Sequence, residues 1–125
     1  MRKESLLSTQ WKTYTKWEST NLLYHCDKTL EIYTDRYTNN ACLHLCFLLA
    51  SELLTDSLLI LIFLYEDFKS HAVLNIDSIL IDLSVGVIMN NKKEVLHKFS
   101  HFNQSRFDKF YKKEILKVNA IRINR

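Results

Sequence analysis

The chain has 125 residues, 47% of them hydrophobic and 25% charged, with a formal net charge of +3. That length fits one domain, and the apolar fraction excludes a disordered chain. The absence of proline and the single glycine, Gly86, exclude a glycine-rich phosphate loop and argue against folds rich in tight hairpins.

Residues 1–9 read as a short polar arm, with no apolar run long enough for a secretory signal. Trp11, Tyr14 and Trp17, spaced by three, predict a short amphipathic helix over 10–18. Ser19 or Thr20 can cap the next helix, where Leu22, Cys26, Leu30, Tyr33 and Tyr37 recur at helical spacing. Asp27, Glu31 and Asp35 form an acidic strip on it, expected to face solvent or a basic surface.

Residues 42–65 are the most apolar stretch. A bilayer-spanning helix needs about 20 apolar residues. Glu52 and Asp56 interrupt the run, and each would cost about 2.5–3.5 kcal/mol near a bilayer centre. The stretch is therefore expected in a protein core. Thr55, Asp56 and Ser57 favour helix starts and divide it into predicted helices over 41–54 and 56–69. On the first, Cys42, Cys46, Leu49 and Leu53 share a face; the second is apolar all round, which suggests a central, enclosed helix. Strands near 58–65 and 79–87 are the alternative, because short two-faced apolar runs are ambiguous by period. Two isolated strands are marginal in water and no third is evident. The expectation is thus an all-α fold, a compact bundle of five or six helices around an apolar central helix, with α+β as the rival.

Further on, Val95, Leu96, Phe99 and Phe102 predict a helix over 92–102. Ser105 to Asp108 resembles a capping box and opens a predicted helix reaching Val118. Residues 1–9 and 119–125 are expected to be flexible ends of a single helical domain over 1–125. Asparagines at 39–40, 90–91, 103 and 119 punctuate the segments in place of glycine.

Charge is segregated. Residues 1–91 carry 7 basic and 11 acidic side chains, and residues 92–125 carry 10 and 3. On a helix over 105–118, Arg106, Lys109, Lys112, Lys113 and Lys117 share a broad arc opposite Phe107, Phe110 and Tyr111. This face is the candidate site for an anionic partner. Trp11, Trp17 and Leu116 are the candidate apolar contacts for a protein partner.

Three cysteines do not make a disulfide framework and favour a reducing, cytoplasmic setting. With Cys42 and Cys46, His97 and His101 have zinc-ligand spacing, but the cysteines are expected in the core and the histidines in water. His25 and Cys26, adjacent on a helix, point about 100° apart and form no dyad. Glu52 and Asp56 read as a helix end and a cap. No cofactor and no small-molecule substrate are expected. The expected function is a non-enzymatic protein-interaction module or assembly subunit, with homodimerisation one form of it. The alternative is an accessory nucleic-acid or ribonucleoprotein binder using the basic helix. Lysine outnumbers arginine 12 to 5, a bias that fits an AT-rich genome.

Overall fold

The computed structural model describes residues 19–37, 42–53 and 58–123. Its centre is a six-stranded antiparallel sheet: β1 (Leu58–Leu64), β2 (Ser70–Ile76), β3 (Ile79–Asp82), β4 (Val87–Asn90), β5 (Val95–Lys98) and β6 (Lys117–Arg122). The spatial order is β5-β4-β3-β2-β1-β6. Among the described residues, two helices, α1 (Ser19–Tyr37) and α2 (Cys42–Glu52), precede the sheet, and a third, α3 (Gln104–Tyr111), lies between β5 and β6.

The fold is therefore α+β, and the expected all-helical bundle is wrong. Of the predicted helix over 56–69, residues 58–69 form β1 and the turn that follows it. The segment 79–87 forms β3, a turn and the start of β4, and residues 92–102 contain β5. The predicted helix over 105–118 ends at Tyr111, and residues 117–122, including part of the expected loose tail, pair along β1 from Leu59 to Leu64.

Packing explains the outcome. Intrinsic helix preferences separate ordinary residues by at most about 0.7 kcal/mol each. Burying a Leu, Ile or Phe side chain is worth about 1.5–3 kcal/mol. In β1, Leu58 and Ile60 join the helix-side core with Leu22, Cys26, Leu45, Leu49 and Leu53. Phe63 joins the opposite core with Val73, Leu80, Val87 and Met89, against Phe107, Phe110 and Tyr111. A strand covered on both faces reads as a continuous apolar run, which mimics an enclosed helix.

Scarcity of glycine does not prevent hairpins here. Phe68, Asp77 and Lys93 adopt positive φ of 62°, 54° and 64°, the conformation glycine ordinarily supplies. Asp77 and Ser78 form the two-residue loop between the paired Ile76 and Ile79. The Asn90 side chain accepts from the backbone N–H groups of Lys92 and Glu94 and shapes the β4–β5 turn. Gly86, at φ 89°, lies so near the Phe102 backbone that a Cβ there would stand 2.8 Å from its Cα.

Helices α1 and α2 follow their apolar stripes. Leu22, Cys26 and Leu30 of α1 are buried, as are Cys46 and Leu49 of α2 and Leu53 just beyond its end. Trp11, Trp17 and Asp56 lie outside the described residues. Among the described residues, no helix is long and apolar enough to cross a membrane.

Candidate active site

The β2–β3 hairpin places a histidine and an aspartate side by side. Leu74 pairs with Ile81 and Ile76 with Ile79. Carried towards the strand ends, that register sets Asp82 across from Val73. His71, two residues before Val73, then shares its face and is the diagonal neighbour of Asp82. His71 Nε2 stands 2.6 Å from Asp82 Oδ2, and both side chains are 2% exposed or less.

Cys42 arrives from the other side of the sheet. It opens α2, whose Leu45, Cys46 and Leu49 pack on the helix-side core. The β2–β3 ladder stops at Leu74–Ile81 and does not reach Ala72. The Ala72 N–H donates instead to Cys42 Sγ, at 3.4 Å. The Cys42 thiol and the His71 side chain lie close enough to act on each other's charge. Since Nε2 is engaged by Asp82, Nδ1 is the ring nitrogen that a thiol could meet.

The electrostatics follow from these contacts. Burial alone pushes the Cys42 thiol up, but the neighbouring His71 imidazolium and the Ala72 N–H bring it below the ordinary thiol value. Burial lowers His71, yet the Asp82 charge and hydrogen bond, with Cys42, raise it to about 9. Burial raises Asp82, and the His71 charge and hydrogen bond, Tyr111 and Ser84 overcome it and hold the carboxyl below its usual range. The other described thiols behave oppositely. Burial pushes Cys26 and Cys46 up, as expected of inert core cysteines.

No family model, curated protein or solved structure matches the chain.

α3 closes the site. Its N-cap, Asn103, accepts from the Arg106 backbone N–H at 3.0 Å. Phe110 stacks on His71 with ring centroids 3.8 Å apart, and the Tyr111 hydroxyl donates to Asp82 Oδ2. Tyr65, just after β1, donates to the Phe110 carbonyl at 2.6 Å and ties the helix end to the sheet. Ser84 Oγ and the Val85 N–H donate to Asp82 Oδ1 at 2.8 and 3.1 Å. A surface depression of about 360 Å³, lined by Tyr65, Glu66, Asp67, Lys113, Glu114 and Leu116, lies beside the β1–β2 turn. Cys42, His71 and Asp82 do not line it.

Of the basic residues singled out from sequence, Arg106 and Lys109 lie on α3, and Lys112, Lys113 and Lys117 lie beyond its end. Arg106 donates to the Ser84 carbonyl at 3.0 Å. Lys109 lies over the Phe110 ring at 5.3 Å. Lys113 is 3.4 Å from Asp67. Lys112 follows the end of α3 and is exposed, and Lys117 sits on β6. Leu116 is 55% exposed, with its backbone N–H on the Leu64 carbonyl. His97 belongs to β5, and His101 contacts the Leu83 carbonyl at 2.6 Å. Among the described residues no group of side chains is arranged to hold a metal. Sequence reasoning missed His71, Asp82, Ser84 and Tyr111 altogether.

Proposed function

We propose that the protein is a cysteine-nucleophile enzyme of acyl transfer, in place of the non-enzymatic binding role expected from the sequence. The observation that carries this reading is the buried His71–Asp82 pair with the Cys42 sulfur held on the backbone N–H of the next residue, Ala72. A nucleophile, a base within hydrogen-bond reach and a third group orienting the base form the arrangement that activates a thiol. Cys-His-Asx and Ser-His-Asp sets recur on unrelated folds and are recognised by geometry and role. The helix start adds a positive field at the sulfur, and its first-turn backbone N–H groups are natural donors to an oxyanion.

In this reading Cys42 rests as a thiolate beside the His71 imidazolium. The sulfur attacks the carbonyl carbon of an ester, amide or thioester, and a C–S bond forms as the carbonyl π electrons move to oxygen. The oxyanion collapses, the bond to the leaving group breaks, and His71 passes its proton to the departing oxygen, nitrogen or sulfur. Water or another acceptor then gives a proton to His71 and attacks the thioester. The C–S bond breaks and the thiolate–imidazolium pair returns. Asp82 keeps the imidazole oriented throughout and holds no proton.

The test uses p-nitrophenyl acetate as the probe. The expected result is a burst of p-nitrophenol with one acetyl group, which peptide mass spectrometry places on Cys42, and loss of both in Cys42→Ala and His71→Ala. Acetylation spread over lysines, or equal labelling in the folded His71→Ala variant, overturns the reading.

A further inference from the structure

The acyl-transfer steps above use one contact to Asp82, the one from His71, yet its carboxylate accepts four. Ser84 and Val85 donate to Oδ1 from within three residues, and so belong to the turn that follows β3. The fourth donor is different. Tyr111 lies 29 residues further along the chain, on α3, and its hydroxyl bonds Oδ2, the same oxygen that meets His71.

We propose that Tyr111 is a positioning residue of this site: its phenol divides the charge of Asp82 Oδ2 with the imidazolium, so that the carboxylate orients His71 without trapping the proton that must reach the leaving group. The inference rests on the acyl-transfer reading. A carboxylate and an imidazolium buried together hold each other far more tightly than in water. A general acid works best when its proton is held neither too firmly nor too loosely at the working pH. A second donor on the shared oxygen weakens that oxygen's hold on the first.

The surroundings leave Tyr111 as the adjustable partner. The titratable groups facing the pair are Cys42 and Cys46 from α2, Tyr65 from the end of β1 and Tyr111 from α3. The Tyr65 hydroxyl is committed to the Phe110 carbonyl. Cys46 stays a neutral thiol, since burial pushes it up. Cys42 is the nucleophile itself.

The experiment follows the His71 ring by carbon-13 NMR across pH, with iodoacetamide alkylation of Cys42 measured in parallel. Tyr111→Phe keeps the ring contacts to Phe63 and Phe107, whose centroids are 6.2 and 5.2 Å away. Removing the donor should move the His71 step upward by about one pH unit. Placing 3-fluorotyrosine at position 111, a stronger donor of nearly the same shape, should move it downward. An unchanged step in both folded proteins, or shifts of the opposite sign, overturns the proposal. The alkylation arm separates the two ideas: wild-type Cys42 that reacts only as an ordinary thiol defeats the acyl-transfer reading. Fast low-pH alkylation with an unmoved His71 step defeats the role of Tyr111 alone.

Discussion

The Phe110 ring lies flat on the His71 imidazole, with 3.8 Å between centroids and 9° between planes. That contact fixes one face of the imidazole and excludes water from it, while Asp82 fixes the ring in its own plane. In the proposed acyl transfer, both constraints would hold the imidazole in one orientation towards Cys42.

Phe110→Ala removes the stacked ring and leaves Asp82 in place. Phe110 is only partly buried, so the loss of stability is expected at about 1–2 kcal/mol, below the 3–5 typical of enclosed phenylalanines. Urea denaturation measures it. The variant should also alkylate at Cys42 more slowly at low pH, because water then competes for the imidazolium. A variant as stable and as reactive as the parent would contradict the role given to the stack.

The His71–Asp82 pair makes stability depend on pH in a defined window. His71 rises from an ordinary 6.5 to about 9 in the folded protein. Its contribution is therefore complete below pH 6.5 and is lost as pH climbs through about 9. Asp82 is shifted the other way, so its contribution is complete above the ordinary carboxylate value and is lost in acid as pH falls through the folded value. Unfolding free energies from denaturation curves between pH 5 and pH 10 should fall most steeply across the upper window, by an amount on the order of 3 kcal/mol. In His71→Gln that alkaline slope should flatten; a slope that persists unchanged would assign it to other groups.

Phe68 is fully exposed at the tip of the β1–β2 turn and holds φ at 62°. A bulky side chain in the left-handed region costs about 1–2 kcal/mol and here gains no burial in return. Phe68→Gly should therefore stabilise the protein by up to about 1 kcal/mol, read as a higher denaturation midpoint. Destabilisation would mean that the phenyl ring makes a contact that offsets the strain.

Gly86→Ala should do the reverse. Its φ of 89° is strained for alanine, and the new Cβ would meet the Phe102 backbone, which cannot swing aside as a flexible side chain can. A loss above about 1 kcal/mol is expected from denaturation curves.

Helices α1 and α2 were legible because their buried residues recur at three and four, even though α2 also exposes Leu43 and Phe47. The α2 stripe even contains Cys42, though its periodicity reads as core, and half-burial beside a histidine is invisible in a spacing. The strands were hidden for a physical reason. β1 and β3 are covered on both faces, so period-two alternation is erased where it would decide between strand and helix. The turns, in turn, use Phe68, Asp77 and Lys93 where glycine would have announced them. His71 and Asp82 left a faint trace, two titratable residues eleven apart in apolar surroundings with Asp77–Ser78 midway between. That trace means something only once the hairpin is assumed, for parity then sets both side chains on one face. Tyr111 had no such trace, since it reads as the inner face of an amphipathic helix and its partner lies 29 residues away.

β6 gives α3 a second tether. The chain leaves the helix at Tyr111 and is stitched along β1 within six residues, so the roof over His71 is hinged at neither end. Proteolytic clipping between 111 and 117 would spare the β1–β5 meander and both large helices while cutting the roof's far anchor. A chain so nicked would keep its fold by most spectroscopic measures and yet carry a drenched, disoriented imidazole.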